Sequence, residues 1–377
     1  MKTGKSVLAI MVQVFFISSI LFFFSGAAMA ECPGFTKVTG TANWFEGKTI
    51  GTEGMNSPAL VDINGDNKLD VFVGSLDGKI YYFQNTTTDP VSPSFDDKAS
   101  NPLASISFPV GTVLKPCFAK IKDDENNEKT VLFLSVSGES YVKYYEYNGT
   151  SFVENDAANP FNGKVIDATS SFNAFKPAFA DIDGDGDMDA LFGMERETGD
   201  FYAKIKYYKN IGVNVFEEQS DENNPFNEIR MAFNPTPEVV NGKHLIVGDK
   251  NKINYYKNTG SLLLPEYDDG CSIEAVSGNF YYPAFGDLFG NGEMKVLVGT
   301  ASKIGLEYWN YSDVIPVVPG DIDGKNGLTL ADAILGLKIL AAADISGEIN
   351  LNADINADQK IGQEEVIFVL REVAQIE

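Results

Sequence analysis

Histidine is almost missing from this chain: there is one, His244, in 377 residues. It opens an apolar run, His-Leu-Ile-Val, where a structural role is expected. Triads built on histidine and multi-histidine metal sites are thereby excluded. No Gly-x-Ser-x-Gly elbow, phosphate-binding loop or Cys-x-x-Cys pair occurs either. Basic residues are scarce: 29 Lys and Arg against 53 Asp and Glu give a formal net charge of −24. Such a polyanion does not bind nucleic acid by releasing counterions, so its acids serve solvation or cations. Three cysteines allow one disulfide with a thiol left over. Cys117 lies in an apolar strand pattern and is expected to be a buried small hydrophobe. Cys32 and Cys271 lie in more exposed contexts and are candidates to pair, which the sequence leaves open.

Long apolar runs are also absent after the first two dozen residues. Lys2 and Lys5 precede an apolar stretch from Val7 to Phe24, then Ser25-Gly-Ala-Ala-Met-Ala30. The charged start and the small residues Ala28 and Ala30 predict a secretory signal peptide, residues 1–30, cut after Ala30. An uncleaved anchor is the alternative, since the run is long enough to span. Glu31 speaks against a lipid anchor on Cys32. The expected location is outside the cytoplasm of a bacterium: extracellular, on the cell surface or in the periplasm. No membrane span is expected once the signal is removed.

What is plentiful is aspartate at alternate positions. Lys176-Pro-Ala-Phe-Ala-Asp-Ile-Asp-Gly-Asp-Gly-Asp-Met-Asp189 places acids at Asp181, Asp183, Asp185, Asp187 and Asp189. Carboxylates this dense repel one another unless a cation lies among them. Gly184 and Gly186 let the backbone curl so that several oxygens point inward. Oxygen-only ligands suit Ca²⁺, with a carbonyl from Asp187. The flanks, Pro-Ala-Phe-Ala and Asp189-Ala-Leu-Phe-Gly, read as strands rather than helices. A second turn has the same form: Asp62, Asn64, Asp66 and Asp70 as side-chain ligands and Lys68 as the carbonyl.

The turn belongs to a repeat. Aligning on proline gives Ser57-Pro-Ala-Leu-Val-Asp62, Lys115-Pro-Cys-Phe-Ala-Lys120, Lys176-Pro-Ala-Phe-Ala-Asp181, Thr236-Pro-Glu-Val-Val-Asn241 and Tyr282-Pro-Ala-Phe-Gly-Asp287. A second strand follows each, typically ending in Gly, and then a third of the form Lys-Ile-x-Tyr-Tyr-x-Asn. A fourth element begins with an aromatic, as at Phe152 and Phe216, and also stands before the first unit, at Phe35. The chain therefore starts with a fourth strand and ends its repeats with three. In a ring, the first strand would complete the last unit and remove an open sheet edge. The expected fold is mainly β, a propeller of four-stranded blades, with five repeats counted and six or seven open. Tyr144, Tyr208, Tyr256 and Trp309 in the third strand are expected to pack between blades. The second, fourth and fifth units have lost the acid set; the fifth keeps Asp287, Asn291 and Glu293 but has Phe289 and Lys295 in ligand places.

The Pro-Ala-Phe-x-Asp-x-Asp-Gly-Asp core with its following Gly-ended strand resembles the FG-GAP/VCBS family of propeller blades, over about residues 35–312. The resemblance implies a propeller from 31 to 312 whose calcium turns are structural staples, not catalytic metals.

After Tyr311 the composition changes. Residues 313–320 form a Pro-bracketed linker, and two acid loops follow, each running into a helix. In the first, Asp321, Asp323, Thr329 and Asp332 are candidate ligands, with Gly327 giving a carbonyl and Lys325 standing where an oxygen is wanted. In the second they are Asp354, Asn356, Asp358 and Glu365, with Lys360 as the carbonyl. Val366, Val369, Leu370 and Val373 are spaced as one core face of the second helix. The pair, residues 321–377, resembles a dockerin domain, which implies docking to a cohesin-like or other cell-surface partner. Family recognition positions fall on Leu330-Ala331 and Gln363-Glu364. The alternative is an EF-hand-like pair that only caps or dimerises the protein. Up to four structural Ca²⁺ sites follow from the two turns and two loops.

The expected function is a secreted, non-catalytic interaction or adhesion protein, with no catalytic residue to nominate and carbohydrate an open ligand for the propeller. The rival is a polysaccharide hydrolase or lyase docked by the same tail, since two carboxylates across a cleft would suffice.

Overall fold

The computed structural model describes residues 33–97, 99–122, 127–167, 174–195, 202–240, 244–259, 267, 270–274, 280–301, 305–312, 322, 330–341, 353, 355 and 360–374. The chain divides into two compact units, Ala30–Val318 and one containing Pro319–Glu377, and each is described by itself.

The larger unit is a five-bladed β-propeller. After β1 (Gly34–Lys37), the first blade is β2 (Ser57–Val61), β3 (Asp70–Gly74), β4 (Ile80–Asn85) and β5 (Phe95–Asp96). The second is β6 (Leu114–Lys122), β7 (Glu128–Val136), β8 (Lys143–Tyr147) and β9 (Phe152–Glu154). The third is β10 (Lys176–Ala180), β11 (Asp189–Met194), β12 (Lys204–Asn210) and β13 (Phe216–Gln219). The fourth is β14 (Thr236–Val240), β15 (His244–Gly248), β16 (Lys252–Tyr256) and β17 (Cys271–Glu274). The fifth has β18 (Tyr281–Asp287), β19 (Met294–Thr300) and β20 (Leu306–Ser312), and its outer strand is β1. Every pairing between the named strands is antiparallel; β1 runs against β20 with Phe35 opposite Tyr311 and Lys37 opposite Trp309. The first strand thus completes the last blade, as the repeat phase requires. The innermost strands touch in the order β2, β6, β10, β14, β18 and back to β2, which closes the ring.

The repeat motif explains how the blades stack. Its proline sits in the innermost strand, whose axial edge has no neighbouring strand to bond. Its fourth residue packs back on the preceding blade: Phe118 on Phe72, ring centroids 4.8 Å apart, and Phe179 on Phe133, stacked at 4.4 Å. Phe285 joins Ile246 and Tyr255 in the same way. The glycine ending the second strand faces the following blade. A Cβ on Gly74, Gly193, Gly248 or Gly299 would lie 2.3, 1.9, 2.1 or 1.6 Å from a backbone carbonyl oxygen of that blade. The second blade has Ser135 at this position, fully buried. Tyr144, Tyr208 and Tyr256 are buried in clusters that join neighbouring blades, as expected, while Trp309 is partly buried.

The axis is filled. Lys176, almost wholly buried, donates to the carbonyls of Pro58 and Pro116, both at 3.3 Å, and pairs with Glu238 at 3.5 Å. One side chain thereby ties together four blades. Lys115 reaches across to the ring of Tyr282, 5.2 Å from its centroid, and its ammonium has no hydrogen-bond partner among the described residues. Burial, then the nearby Lys176, pulls its pKa down to about 7.

Two cysteine expectations are corrected. Cys117 is only half-buried, and burial still pushes its thiol up to about 12. Cys271 is buried, not exposed, and is disulfide-bonded. Cys32, the signal segment 1–30 and the linker 313–320 lie outside the described residues.

The smaller unit contains α1 (Leu330–Leu340) and α2 (Gln363–Ala374), packed on a core of Ile322, Ala333, Ala353, Ile361 and Val369. Gly336 permits the close approach, since a Cβ there would meet Val366 Cγ2 at 2.5 Å. Val366 and Val369 are core, but Leu370 and Val373 are exposed, which corrects the single core face expected for this helix. A short two-helix unit covers only a narrow stripe of each helix, and the rest of the apolar arc faces solvent. No helix among the described residues is long and apolar enough to cross a membrane.

Candidate metal centre

The acid turns connect the first and second strands of their blades. In the third blade, the curl is held by Asp181: its Oδ1 accepts Gly184 N–H at 2.7 Å and its Oδ2 accepts Gly186 N–H at 3.0 Å. Both glycines have positive φ, which the curl requires. Asp183 and Asp185 accept from the next-but-one N–H, at 3.3 and 3.0 Å. Asp189 is fully buried and closes the turn from the strand side. Its oxygens accept Asn210 N–H at 2.8 Å, Tyr207 O–H at 2.9 Å and Ile182 N–H at 3.1 Å. Burial pushes Asp189 up to about 6 against the opposing pull of those donors. Burial, then the Asp189 charge, raises Tyr207 as well, so it remains a donor.

Asp181, Asp183 and Asp189 bring one ligand oxygen each to within 4.8 Å of one another. The two remaining acids of the expected set turn to lysines. Asp187 pairs with Lys122 of the second blade at 2.9 Å, and Asp185 lies 3.7 Å from Lys209. Lys209 also pairs with Asp183. Its bond to Asp183 raises the Lys209 pKa and keeps the amine charged.

The first blade repeats the design with Asp62, Asn64, Asp66, Lys68 and Asp70. Asp62 accepts Gly65 N–H at 2.7 Å, Asp66 N–H at 3.2 Å and Asn67 N–H at 2.8 Å. Asp70 is the buried partner, accepting Asn85 N–H at 2.7 Å, Tyr82 O–H at 3.3 Å and Ile63 N–H at 3.4 Å, and burial pushes it up to about 6. Lys68 lies 3.4 Å from Asp66. The fifth turn keeps the curl through Asp287, which accepts Asn291 and Gly292 N–H at 3.0 and 2.7 Å. There Lys295 stands in the place of Asp189 and bonds Glu293 and Asn310 at 2.9 and 3.1 Å. In the fourth blade His244 stands in that place, its Nδ1 accepting Asn258 N–H at 3.2 Å with Tyr255 beside it.

The donor set is hard oxygen throughout, and buried carboxylates held near pH 6 gain from an adjacent cation. In the third blade Asp181, Asp183 and Asp189 would hold it, with Lys209 competing for Asp183. Sequence reasoning missed the two residues that complete each knot, Tyr82 and Asn85 in the first blade and Tyr207 and Asn210 in the third. Their signal was available: they belong to the recurring Tyr-x-x-Asn spacing of the third strand.

In the smaller unit, Asp332 and Glu365 are fully buried in the first turns of α1 and α2, where a helix dipole favours an acid. Glu365 accepts Gly362 N–H at 2.6 Å and Ile355 N–H at 3.3 Å, folding its loop back on the helix. Lys360 is exposed. Asp321, Asp323, Gly327, Thr329, Asp354, Asn356 and Asp358 lie outside the described residues.

No family profile matches the chain, and no curated protein does. Solved structures similar to it include a Thermus thermophilus protein titled an oxidoreductase (glucose dehydrogenase), 10% identical with a TM-score of 0.38. That match covers 74% of this chain and 100% of the other. The WD40 repeats of RRP9 are 10% identical with a TM-score of 0.32, over 75% of this chain and 99% of theirs. Both likenesses are too loose to carry an argument. The propeller assignment rests on the strand order and ring closure of this chain.

Proposed function

We propose that this chain is a secreted, calcium-stabilised interaction protein without catalytic activity. Its propeller, of FG-GAP/VCBS type, presents a ligand surface, with carbohydrate one open ligand class. Its C-terminal unit, of dockerin type, attaches it to a cohesin-like or other cell-surface partner. The observation that carries the reading is the filled axis. Lys115, Lys176, Glu238 and Tyr282 occupy the place where a propeller would open an axial cleft for chemistry, so its surfaces are left for binding. The exposed apolar arcs of the small unit, Leu330, Ile334 and Leu337 on α1 and Ile367 and Leu370 on α2, support a docking role. Calcium would sit in the two complete turns, at Asp62–Asp70 and Asp181–Asp189, and in the loops ending at Asp332 and Glu365. It supplies positive charge among carboxylates there and takes part in no reaction.

The test is a glycan array with product analysis on residues 31–377. Retention of an unmodified glycan is the expected outcome; appearance of cleaved product would replace this reading with that of a docked polysaccharide-degrading enzyme.

A further inference from the structure

The strand that closes the ring is thinly held by non-covalent contact. β1 has four residues, of which Thr36 and Lys37 are exposed, and it pairs with β20 alone. Phe35 is its apolar anchor, edge-on to Tyr311 at 5.2 Å and to Phe285 at 6.2 Å. Lys37 adds a partly exposed ion pair to Glu307 at 2.8 Å, a kind of contact that contributes little. The outer strands β5, β9, β13 and β17 each follow directly in sequence the strand they pair with. β1 and β20 lie at opposite ends of the propeller sequence, so bringing them together costs more chain entropy.

Cys271 opens β17, the outer strand of the fourth blade, opposite Tyr255. It is buried in a cluster with Tyr281 and Tyr311, against which Phe35 packs. Its sulfur is in a disulfide, and Cys117 is a free thiol. The chain has three cysteines, so the one partner left within it is Cys32. Cys32 stands three positions before Phe35, and three residues span at most about 11 Å. Elimination and the packing of Phe35 therefore lead to the same bond.

We infer that Cys271 is bonded to Cys32, and that this disulfide is a redox-sensitive clasp holding β1 on the last blade from the side of the fourth. The clasp joins positions more than two hundred residues apart, so it removes more entropy from the open chain than a short-range disulfide would. A dithiol reductant opens it: the S–S bond takes up two electrons and two protons to give two thiols, and the dithiol becomes a disulfide. β1 is then left with Phe35 and Lys37 to hold it, and its loss bares the edge of β20. Because Cys271 is buried, a thiolate reaches its sulfur only after the seam has opened, so the closed ring protects its own clasp. Cys117, its thiol pushed up to about 12, supplies no thiolate to compete at neutral pH. Such a bond persists in an oxidising compartment, in agreement with the proposed secretion.

The experiment takes residues 31–377 made under oxidising conditions. Free thiols are alkylated in denaturant without reductant, and the digested protein is mapped by mass spectrometry. The expected result is one cross-linked peptide pair carrying Cys32 and Cys271, with Cys117 alkylated. Cys271 linked to Cys117 or to a second chain, or itself alkylated, would overturn the inference. Dithiothreitol is then used to open the clasp. The amides of β20 should exchange with deuterium about tenfold faster than in the oxidised protein, or more, and the propeller's melting temperature should fall by several degrees. Cys32→Ser, which leaves the buried Cys271 in place, should reproduce both shifts without reductant, and Cys117→Ser should give neither. The rate of reduction should rise steeply at urea concentrations below the unfolding transition, since opening of the seam governs access. Exchange in β20 and melting both unmoved by reduction would overturn the clasp even with the bond mapped.

Discussion

Lys115 is the residue whose environment departs furthest from its chemistry. Its ammonium is fully buried, near Lys176, with an aromatic face as its nearest compensation. Asp167 and Glu195 contribute opposing charge from the third blade, and Lys176 contributes like charge. With the folded pKa near 7 and the unfolded value near 10.5, the unfolded chain holds the proton across that window. The penalty is therefore complete below about pH 7 and fades as pH rises to about 10.5, so this group makes stability increase with pH. The sum is on the order of 5 kcal/mol. Lys115→Met, similar in length and without charge, should raise stability at pH 7 by about 1–4 kcal/mol. It should also flatten the slope between pH 7 and 10, measured by urea unfolding. A variant less stable than wild type at pH 7 would show that the ammonium holds the axis together. Lys176 is the opposite case: three oxygen partners satisfy it, and truncating it would leave Glu238 and two carbonyls unpaired.

At the scale of the element, the hairpin between first and second strands is built differently in the second blade than in the first and third. Where the acid turn is complete, the strands are short: β2 has five residues and β10 five. Where it is lost, in the second blade, β6 and β7 run to nine residues each and pair from Leu114 with Val136 to Lys122 with Glu128. Ladder hydrogen bonds replace the carboxylate-to-backbone bonds of the turn. On the calcium reading, dialysis against EDTA lowers the melting temperature of the propeller, and Lys209→Gln, which frees Asp183, tightens calcium binding severalfold by calorimetry. An unchanged melt after chelation would remove calcium from the turns. The glycine-ended second strand sets the blade spacing by contact. Gly299→Ala puts a methyl 1.6 Å from Asn56 O and should cost about 3 kcal/mol or more, read as a shift of the urea midpoint. Ser135→Gly, at the one seam built with a side chain there, should be far milder.

For the whole molecule, closure is the vulnerable step. β1 supplies the outer strand of the last blade, so a chain beginning at residue 39 exposes the edge of β20 and the apolar faces of Tyr311 and Phe285. That truncation should aggregate or lose its cooperative melt, followed by calorimetry and light scattering. Removing residues 319–377 should leave the propeller's melt unchanged while abolishing retention at the cell surface. Retention unaltered by that deletion would end the docking proposal.

The repeat was legible in the sequence because each blade solves one packing problem with local means. Proline tolerates an unpaired inner edge, Phe118, Phe179 and Phe285 fill the preceding blade, and a terminal glycine admits the next. Five such units and a displaced fourth strand at Phe35 were enough to determine a closed ring of four-stranded blades. The acid turns were legible too, since their acids lie within nine residues of one another. The long-range partners were not. Nothing in the order of residues says that Lys209 and Lys122 enter the turn at Asp181–Asp189, or that Lys176 ties together four blades. Nor does it show that Lys37 and Glu307 pair across the seam joining the two ends of the propeller. The Lys209 contact forms within the third blade and that of Lys122 between neighbouring blades, whereas the bond from Lys176 to Pro58 and the pair of Lys37 with Glu307 exist only once the ring closes and strands more than a hundred residues apart meet. Local periodicity specifies each blade. The axis, the lysine counter-charges and the ion pair at the seam are decided by tertiary structure alone.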